Sequence, residues 1–298
     1  MFKIGLLGHE YDGCIRSLKR RIEDRGHKAR VINPTHLPRV TQVTLSSDNI
    51  IHDGYDLREF DCYYLAEMGI REPFFHVTYS REMWSFLRER YLRFAAHEIE
   101  NLILTINMIY MLARLRPMIN DPRVYSLRLH VPFHLNRLAY RGYPVPSFTA
   151  DFNRPDGYEE ALPLKLDELK TWEVLSFPKN MNTDLKVWRK KPKGIRYTLF
   201  VVGERIMEEA LCHSDAAALP RKIKTVEVPE PVVATVLKIA SDVGIKFCES
   251  TVVNSEAGLW LSQIDTAPNF KNTEDINNLD VSSALADYLI NIAGDARK

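Results

Sequence analysis

Residues 2–32 constrain the architecture of this chain more than any other stretch. Phe2–Leu7 is a short, mostly apolar run and reads as a buried parallel strand. A turn at Gly8–Gly13 follows. A helix is then predicted from about Cys14 to Arg25, with Ile15, Leu18 and Ile22 on one face and Gly26 as its stop. Ala29–Ile32 begins a second strand. Such a strand–helix–strand unit opens an α/β sheet whose ligands gather at the carboxyl ends of the strands. Glycines 5, 8 and 13 do not spell GxGxxG, so the dinucleotide fingerprint is absent.

A chain of 298 residues predicts two or three lobes. Its 45% hydrophobic and 27% charged residues are the balance of a globular protein with a sizeable core. The formal net charge of +1 supplies no global field for nucleic acid or an anionic membrane, so neither is expected as a partner. Cys14, Cys62, Cys212 and Cys248 make no CxxC pair, which argues against a zinc site or a disulfide framework and fits a reducing compartment. The apolar N-terminal run is too short for a signal-peptide core. Ile99–Leu115 is interrupted by Glu100, Asn101, Asn107 and Arg114, so a buried helix is expected there rather than a membrane span. Together these point to a cytoplasmic protein.

Further along, Asp61–Leu65 reads as a strand. Ser80–Leu115 is helical and rich in aromatics (Trp84, Phe86, Tyr91, Phe94, Tyr110), which suits two packed helices, a dimer face or a pocket wall. Val131–Tyr140 is a helix ended by Gly142. Ser147–Met181, with Pro155, Gly157, Pro163 and Pro178, reads as an irregular linker with a small substructure. Ile195–Val202 is strongly β-prone, and Gly203–Glu204 turns it into a strand at Arg205–Ala210. Pro231–Val243 is a helix. Strands at Lys246–Val253 and Leu259–Ile264 flank a turn, and a last helix spans about Asp280–Ile292.

The order of these segments resembles the ATP-grasp superfamily, and within it the α-L-glutamate ligase-like carboxylate–amine ligases. Four phrases carry the resemblance: KIGLLG…SLKRRIEDRGHKARVINP, SLRLHVPFHLNRLAYRGYPVPSF, GIRYTLFVVGERIMEEAL and VVATVLKIASDVGIKFCESTVVNSEAGLWLSQIDTAPNF. It is weakest between Ser147 and Lys186. The resemblance implies an α/β fold with α+β lobes: an N-terminal open parallel sheet domain (1–120), a linking helix with a reduced central lobe (121–186) and a C-terminal lobe (187–298). It implies ATP and Mg²⁺ as cofactors of an active enzyme, which would phosphorylate a carboxylate and let an amine such as glutamate attack the acyl phosphate.

The same resemblance selects site residues, and here the chain departs from the pattern. The family's closing loop presents a Glu and, two residues later, an Asn; here these are Gln263 and Asp265. The preceding strand's Asp falls at Thr251, with Glu249 two residues before it. Strand alternation puts Gln263 and Asp265 on one face of their strand, and likewise Glu249 and Thr251 on one face of theirs. Glu249 and Asp265 are therefore either a rebuilt magnesium pair, with Gln263 beside them, or ordinary polar residues at a sheet end. Lys165 is a candidate phosphate ligand or a surface lysine, and Lys186, in the hinge Lys186-Val187-Trp188, is a second candidate for binding the nucleotide. No glycine lies between Gly157 and Gly194, so the expected phosphate-covering loop lacks the residue that lets backbone approach a triphosphate. Arg196, in Gly194-Ile195-Arg196, matches the family's Asp-Ile-Arg phrase and is the candidate catalytic cation.

Three functions follow from this mixture. One is an ATP-dependent ligase acting on a small-molecule carboxylate or amine, another a non-catalytic descendant that binds a metabolite or partner without cofactor, and the third an enzyme of different chemistry on the same scaffold. In each, residues 79–115 are expected to offer a surface for self-association or a protein partner.

Overall fold

The computed structural model describes residues 1–34, 43–45, 49–68, 99–129, 131–151, 156, 158–160, 186–190, 193–207, 210–213, 224–226, 228–277 and 279–298. Strand β1 (Lys3–Leu7), helix α1 (Gly13–Asp24) and β2 (Lys28–Ile32) form the expected opening unit. A three-stranded antiparallel sheet follows, of β3 (Val43–Leu45), β4 (Ile50–His52) and β5 (Tyr55–Asp56). Then come β6 (Cys62–Leu65), helix α2 (99–115) and β7 (Met118–Ile119). Strands β2, β1, β6 and β7 lie in that order, every pair parallel.

Alternation along these strands builds two cores. Ile4, Leu6, Cys62 and Tyr64 face Ile15, Leu18 and Ile22 of α1. Leu7, Tyr63 and Leu65 face the other way, onto Ile109 and Leu112 of α2. Each fully buried leucine or isoleucine contributes about 1.5–3 kcal/mol. Gly5 is required by this layer, because an added Cβ would stand 2.3 Å from the Tyr63 ring. Asp12 caps α1, accepting from the amides of Cys14 (2.6 Å) and Ile15 (3.1 Å).

Helices α3 (Pro122–Leu129) and α4 (Val131–Tyr140) lead to a small antiparallel sheet of β8 (Phe148–Asp151), β9 (Tyr158–Glu160) and β10 (Lys186–Lys190), ordered β8-β10-β9. Strands β8 and β9 lie within Ser147–Met181, where a small substructure is expected; 152–155, 157 and 161–181 lie outside the described residues. Both are edge strands whose ladder partner, β10, comes from distant sequence, so no local pattern announces them.

The remaining chain forms a six-stranded antiparallel sheet. Its strands are β11 (Ile195–Val202), β12 (Arg205–Ile206), β13 (Ala210–His213), β14 (Lys224–Val226), β15 (Phe247–Ser255) and β16 (Gly258–Asp265), with helix α5 (Glu230–Val243) between β14 and β15. The path is β14-β13-β11-β15-β16, with β12 paired to β11. The predicted strand Arg205–Ala210 is instead the two-residue β12 and a separate β13. Val232, Val236 and Ile239 of α5 cover one face, against Tyr197, Leu199, Val201 and Leu261.

Two helices close the chain: α6 (Phe270–Asn277), which the sequence reading missed, and α7 (Val281–Asp295), which falls where the last helix is expected and is capped by Asp280. Helix α7 packs Leu285, Ala286, Leu289 and Ala293 into the first core, beside α1. Arg25 binds Asp287 through two nitrogens, at 2.5 and 3.1 Å. Arg297 likewise forks onto Asp61 at 2.7 and 2.8 Å, and the Lys3 amide donates to the same carboxylate. Burial alone would raise the Asp61 pKa, but the guanidinium and the amide outweigh it and hold the carboxyl below its ordinary range. Of the expected association surface, 79–98 lie outside the described residues; within α2, Ile99 and Ile103 stand one turn apart and about half exposed. No helix among the described residues is long and apolar enough to cross a membrane.

Candidate functional site

Strands β11, β15 and β16 carry the polar face of the six-stranded sheet. Register aligns their same-face residues in three rows. Phe200, Glu249 and Asp265 form the first, Thr198, Thr251 and Gln263 the second, and Arg196, Val253 and Trp260 the third. Successive rows are two residues, or roughly 7 Å, apart along β11 and β15. The face therefore runs from a row with two carboxylates, through a neutral-polar row, to a row with one arginine over about 14 Å.

A β-bulge decides this arrangement. From the turn at Glu256–Ala257 the pairing runs Ser255 with Gly258, Asn254 with Leu259, Val253 with Trp260 and Val252 with Leu261. Between Thr251 and Val252 the register slips by one, and Thr251 then pairs with Gln263 and Glu249 with Asp265. Ser262 is the extra residue. Because side chains alternate with period two, bulging Ser262 out of the ladder keeps both Leu261 and Ile264 in the helix-covered core and Gln263 and Asp265 on the polar face. Paired in register instead, Ser262 would put Ile264 opposite Glu249.

Glu249 and Asp265 are directly opposed and half-buried. Directly opposed residues hold their Cβ atoms about 4.5–5.5 Å apart, and like charges so placed repel. Their combined field reaches Cys248, whose thiol is pushed well up, first by burial and then by Asp265 and Glu249. Asp265 Oδ1 also accepts the Ala267 amide at 2.9 Å, fixing the start of the loop. In the second row the Thr198 and Thr251 hydroxyls meet at 3.4 Å, and both residues are buried.

The loop after β16 is held from the N-terminal layer. Cys14, at the start of α1, lies 3.4 Å from Asn269 Oδ1 and accepts the Lys271 amide at 3.3 Å. Its thiol is pushed up to about 12, chiefly by burial, so it serves as a neutral packing and hydrogen-bonding group rather than a thiolate. Asn120, fully buried just after β7, bonds to both β15 and this loop. The sequence reading missed Asn120. Its only signal was a polar residue directly after an apolar Met118-Ile119 pair.

Of the predicted site residues, Arg196, Glu249, Gln263 and Asp265 share one face. Lys186 sits on the separate small sheet, with Asp151 as its register partner. Lys165 lies outside the described residues, as does all of 161–185. At the start of β11, Gly194 has φ +154° and an added Cβ would meet the Asn254 carbonyl oxygen at 2.2 Å. The aspartate expected there by resemblance is excluded by the backbone.

Among the described residues no group of three or more His, Cys, Asp or Glu could hold a metal. Glu249 and Asp265 are two carboxylates that could hold a hard cation such as Mg²⁺, which is commonly bound by one or two carboxylates together with substrate phosphates. Gln263 and Thr251 could offer neutral oxygens in the next row.

No family model matches the chain, and no curated protein does. Solved structures do. The ATP-grasp ligase PsnB, complexed with minimal precursor, Mg and ADP, superposes with a TM-score of 0.73 at 18% identity, over 97% of each chain. Macrocyclase MdnC from Microcystis aeruginosa MRC, bound with precursor peptide MdnA, gives 0.62 at 16% identity, over 97% of this chain and 99% of that one. A Chryseobacterium gregarium RiPP-associated ATP-grasp ligase, in complex with ADP and a leader and core peptide, gives 0.64 at 14%, over 98% and 97%. Near-complete coverage at such low identity reports a shared course of the backbone, and on that evidence this chain has the ATP-grasp fold.

Proposed function

We propose that this protein is an ATP-dependent carboxylate–amine ligase whose substrate is a peptide, with Mg²⁺ held between Glu249 and Asp265. The observation that carries the reading is the pair of directly opposed carboxylates on the polar face. Two like charges in that geometry are unfavourable alone, and a divalent cation between them reverses the sign. Similarity to ligases solved with Mg, ADP and precursor peptides supports both the cofactor and the peptide.

When bound, Mg²⁺ would supply positive charge against the charge that develops on the phosphates. The chain's own groups would do the rest. Glu249 and Asp265 would hold the cation, Gln263 and Thr251 would offer neutral oxygens, and Arg196, two rows away, would steady the anionic acyl phosphate. Lys165 and Lys186 are proposed to reach the nucleotide. The buried threonines of the second row, Thr198 and Thr251, and Phe200 of the first exclude water from that side of the carboxylates, which strengthens each charge contact. The amine is an amino acid such as glutamate, or an amine of the same peptide. Mass spectrometry separates these, because adding an amino acid raises the peptide mass and an internal bond lowers it by one water.

The primary test is calorimetric titration with ATP, with and without Mg²⁺, on wild type and a Glu249→Ala, Asp265→Ala double variant. Magnesium-dependent binding in wild type and its loss in the variant are expected. Absence of binding at millimolar ATP would sink the ligase reading. It would favour the second reading, a non-catalytic binding protein, for which the neutral Gln263 and Thr251 at the expected ligand positions argue.

A further inference from the structure

Asn120 is a side chain with no spare capacity. It is fully buried, and its amide group makes four hydrogen bonds. Nδ2 donates to the Phe247 carbonyl at 2.6 Å and to the Thr266 carbonyl at 2.8 Å. Oδ1 accepts from the Lys246 amide at 2.8 Å and the Phe247 amide at 2.9 Å. Two donors and two lone pairs are all that a carboxamide has. Two accepted amides on one side and two carbonyls on the other leave a single orientation for the group.

The four partners are placed around the carboxylate row. Phe247 lies two residues before Glu249 on β15, and Thr266 directly follows Asp265 at the end of β16. One carboxamide, delivered from β7 outside the six-stranded sheet, therefore joins the strand that carries one carboxylate to the loop that follows the other. The sheet's ladder ends at the Glu249–Asp265 pair, so beyond it no strand-to-strand bond holds the two segments together.

We propose that Asn120 is a positioning residue for the cation site: it sets the separation of Glu249 and Asp265 by clamping Thr266 to Phe247. This rests on the magnesium reading above. Residues that orient metal ligands commonly weaken metal affinity about 10–100-fold when replaced. Asn120→Asp tests the donor side selectively, because it keeps an oxygen for the Lys246 and Phe247 amides and removes the donated bonds to Phe247 and Thr266. Asn120→Ser, which keeps a hydroxyl donor on a shorter side chain, is read in the same way should the aspartate unfold the chain.

Two measurements are made on each variant: the affinity for ATP with and without Mg²⁺, and amide hydrogen exchange at Ala267 against that in α7. The expected result is magnesium-dependent affinity weakened about tenfold or more, magnesium-free affinity unchanged, and faster exchange at Ala267 with α7 unaffected. The proposal is overturned if magnesium dependence is unaltered, or if both affinities and both exchange rates change together, as a merely structural role would produce. If wild type binds no magnesium nucleotide, the ligase reading fails and the clamp is judged on exchange alone. Selective loosening at Ala267 then supports it, and unchanged exchange refutes it.

Discussion

The two faces of the six-stranded sheet are built from the same three strands and obey different rules. On the helix-covered face, Tyr197, Leu199, Val201, Val252 and Leu261 pack against α5. Any apolar residue of similar volume would serve there, because the stabilisation is non-directional. On the opposite face, Arg196, Thr251, Gln263 and Asp265 matter by row and register, and a shift of one position would destroy the arrangement. Apolar packing on one side thus fixes the frame on which charged groups on the other are aligned. The bulge at Ser262 is where the two requirements are reconciled.

Leu261→Asp sets the rule of one face against the other and carries the largest expected effect. It puts a carboxylate into the layer covered by α5, the kind of group that the opposite face carries at Glu249 and Asp265. A loss of about 3 kcal/mol or more in urea unfolding is expected. A loss under about 1 kcal/mol would mean that the two faces do not differ in what they tolerate. Next comes Gly194→Asp, which puts a side chain where φ is +154° and the Asn254 carbonyl is in the way. The expected cost is about 1–3 kcal/mol by the same measurement. A stable variant would show that the start of β11 is freer than the rest of its face.

A third test uses the N-terminal layer, where charge serves cohesion rather than ligand binding. The Asp61 pKa is depressed in the folded protein, so its contribution to stability is complete above the ordinary carboxylate pKa of about 4 and is lost as pH falls through the depressed value. The stability difference between wild type and Asp61→Asn should therefore shrink as pH is lowered from about 6 to about 2. A difference that stays constant with pH would assign the Arg297–Asp61 fork no net electrostatic role. The smallest effect is expected at Ser250, fully buried on the apolar side, whose hydroxyl has no partner among the described residues. Ser250→Ala should leave stability unchanged or raise it by up to about 1 kcal/mol, read from the denaturation midpoint. A clear loss would show a polar contact on the face assigned to packing alone.

Much of this was legible in the sequence, for local reasons. Val131–Tyr140 and Ile195–Val202 are observed with the limits their patterns predict, because each is closed by its own punctuation, Gly142 for one and Gly203–Glu204 for the other. That Gln263 and Asp265 share a face follows from alternation alone. What stayed hidden depends on distant partners. Strands β8 and β9 exist because β10 pairs with them, and helix α6 follows a loop that Asn120 and Cys14 hold in place.

The sequence by itself determined the opening parallel unit, the hairpin-rich second half and the candidate set of Arg196, Glu249, Gln263 and Asp265. Periodicity and turn chemistry act over a few residues and can be read from a single chain. Tertiary structure alone decided which face those four residues occupy, that Glu249 stands opposite Asp265, and that Asn120 ties their segments together. Those outcomes rest on a one-residue register slip and on hydrogen bonds spanning more than a hundred residues of sequence, and only the packed fold brings such partners within reach.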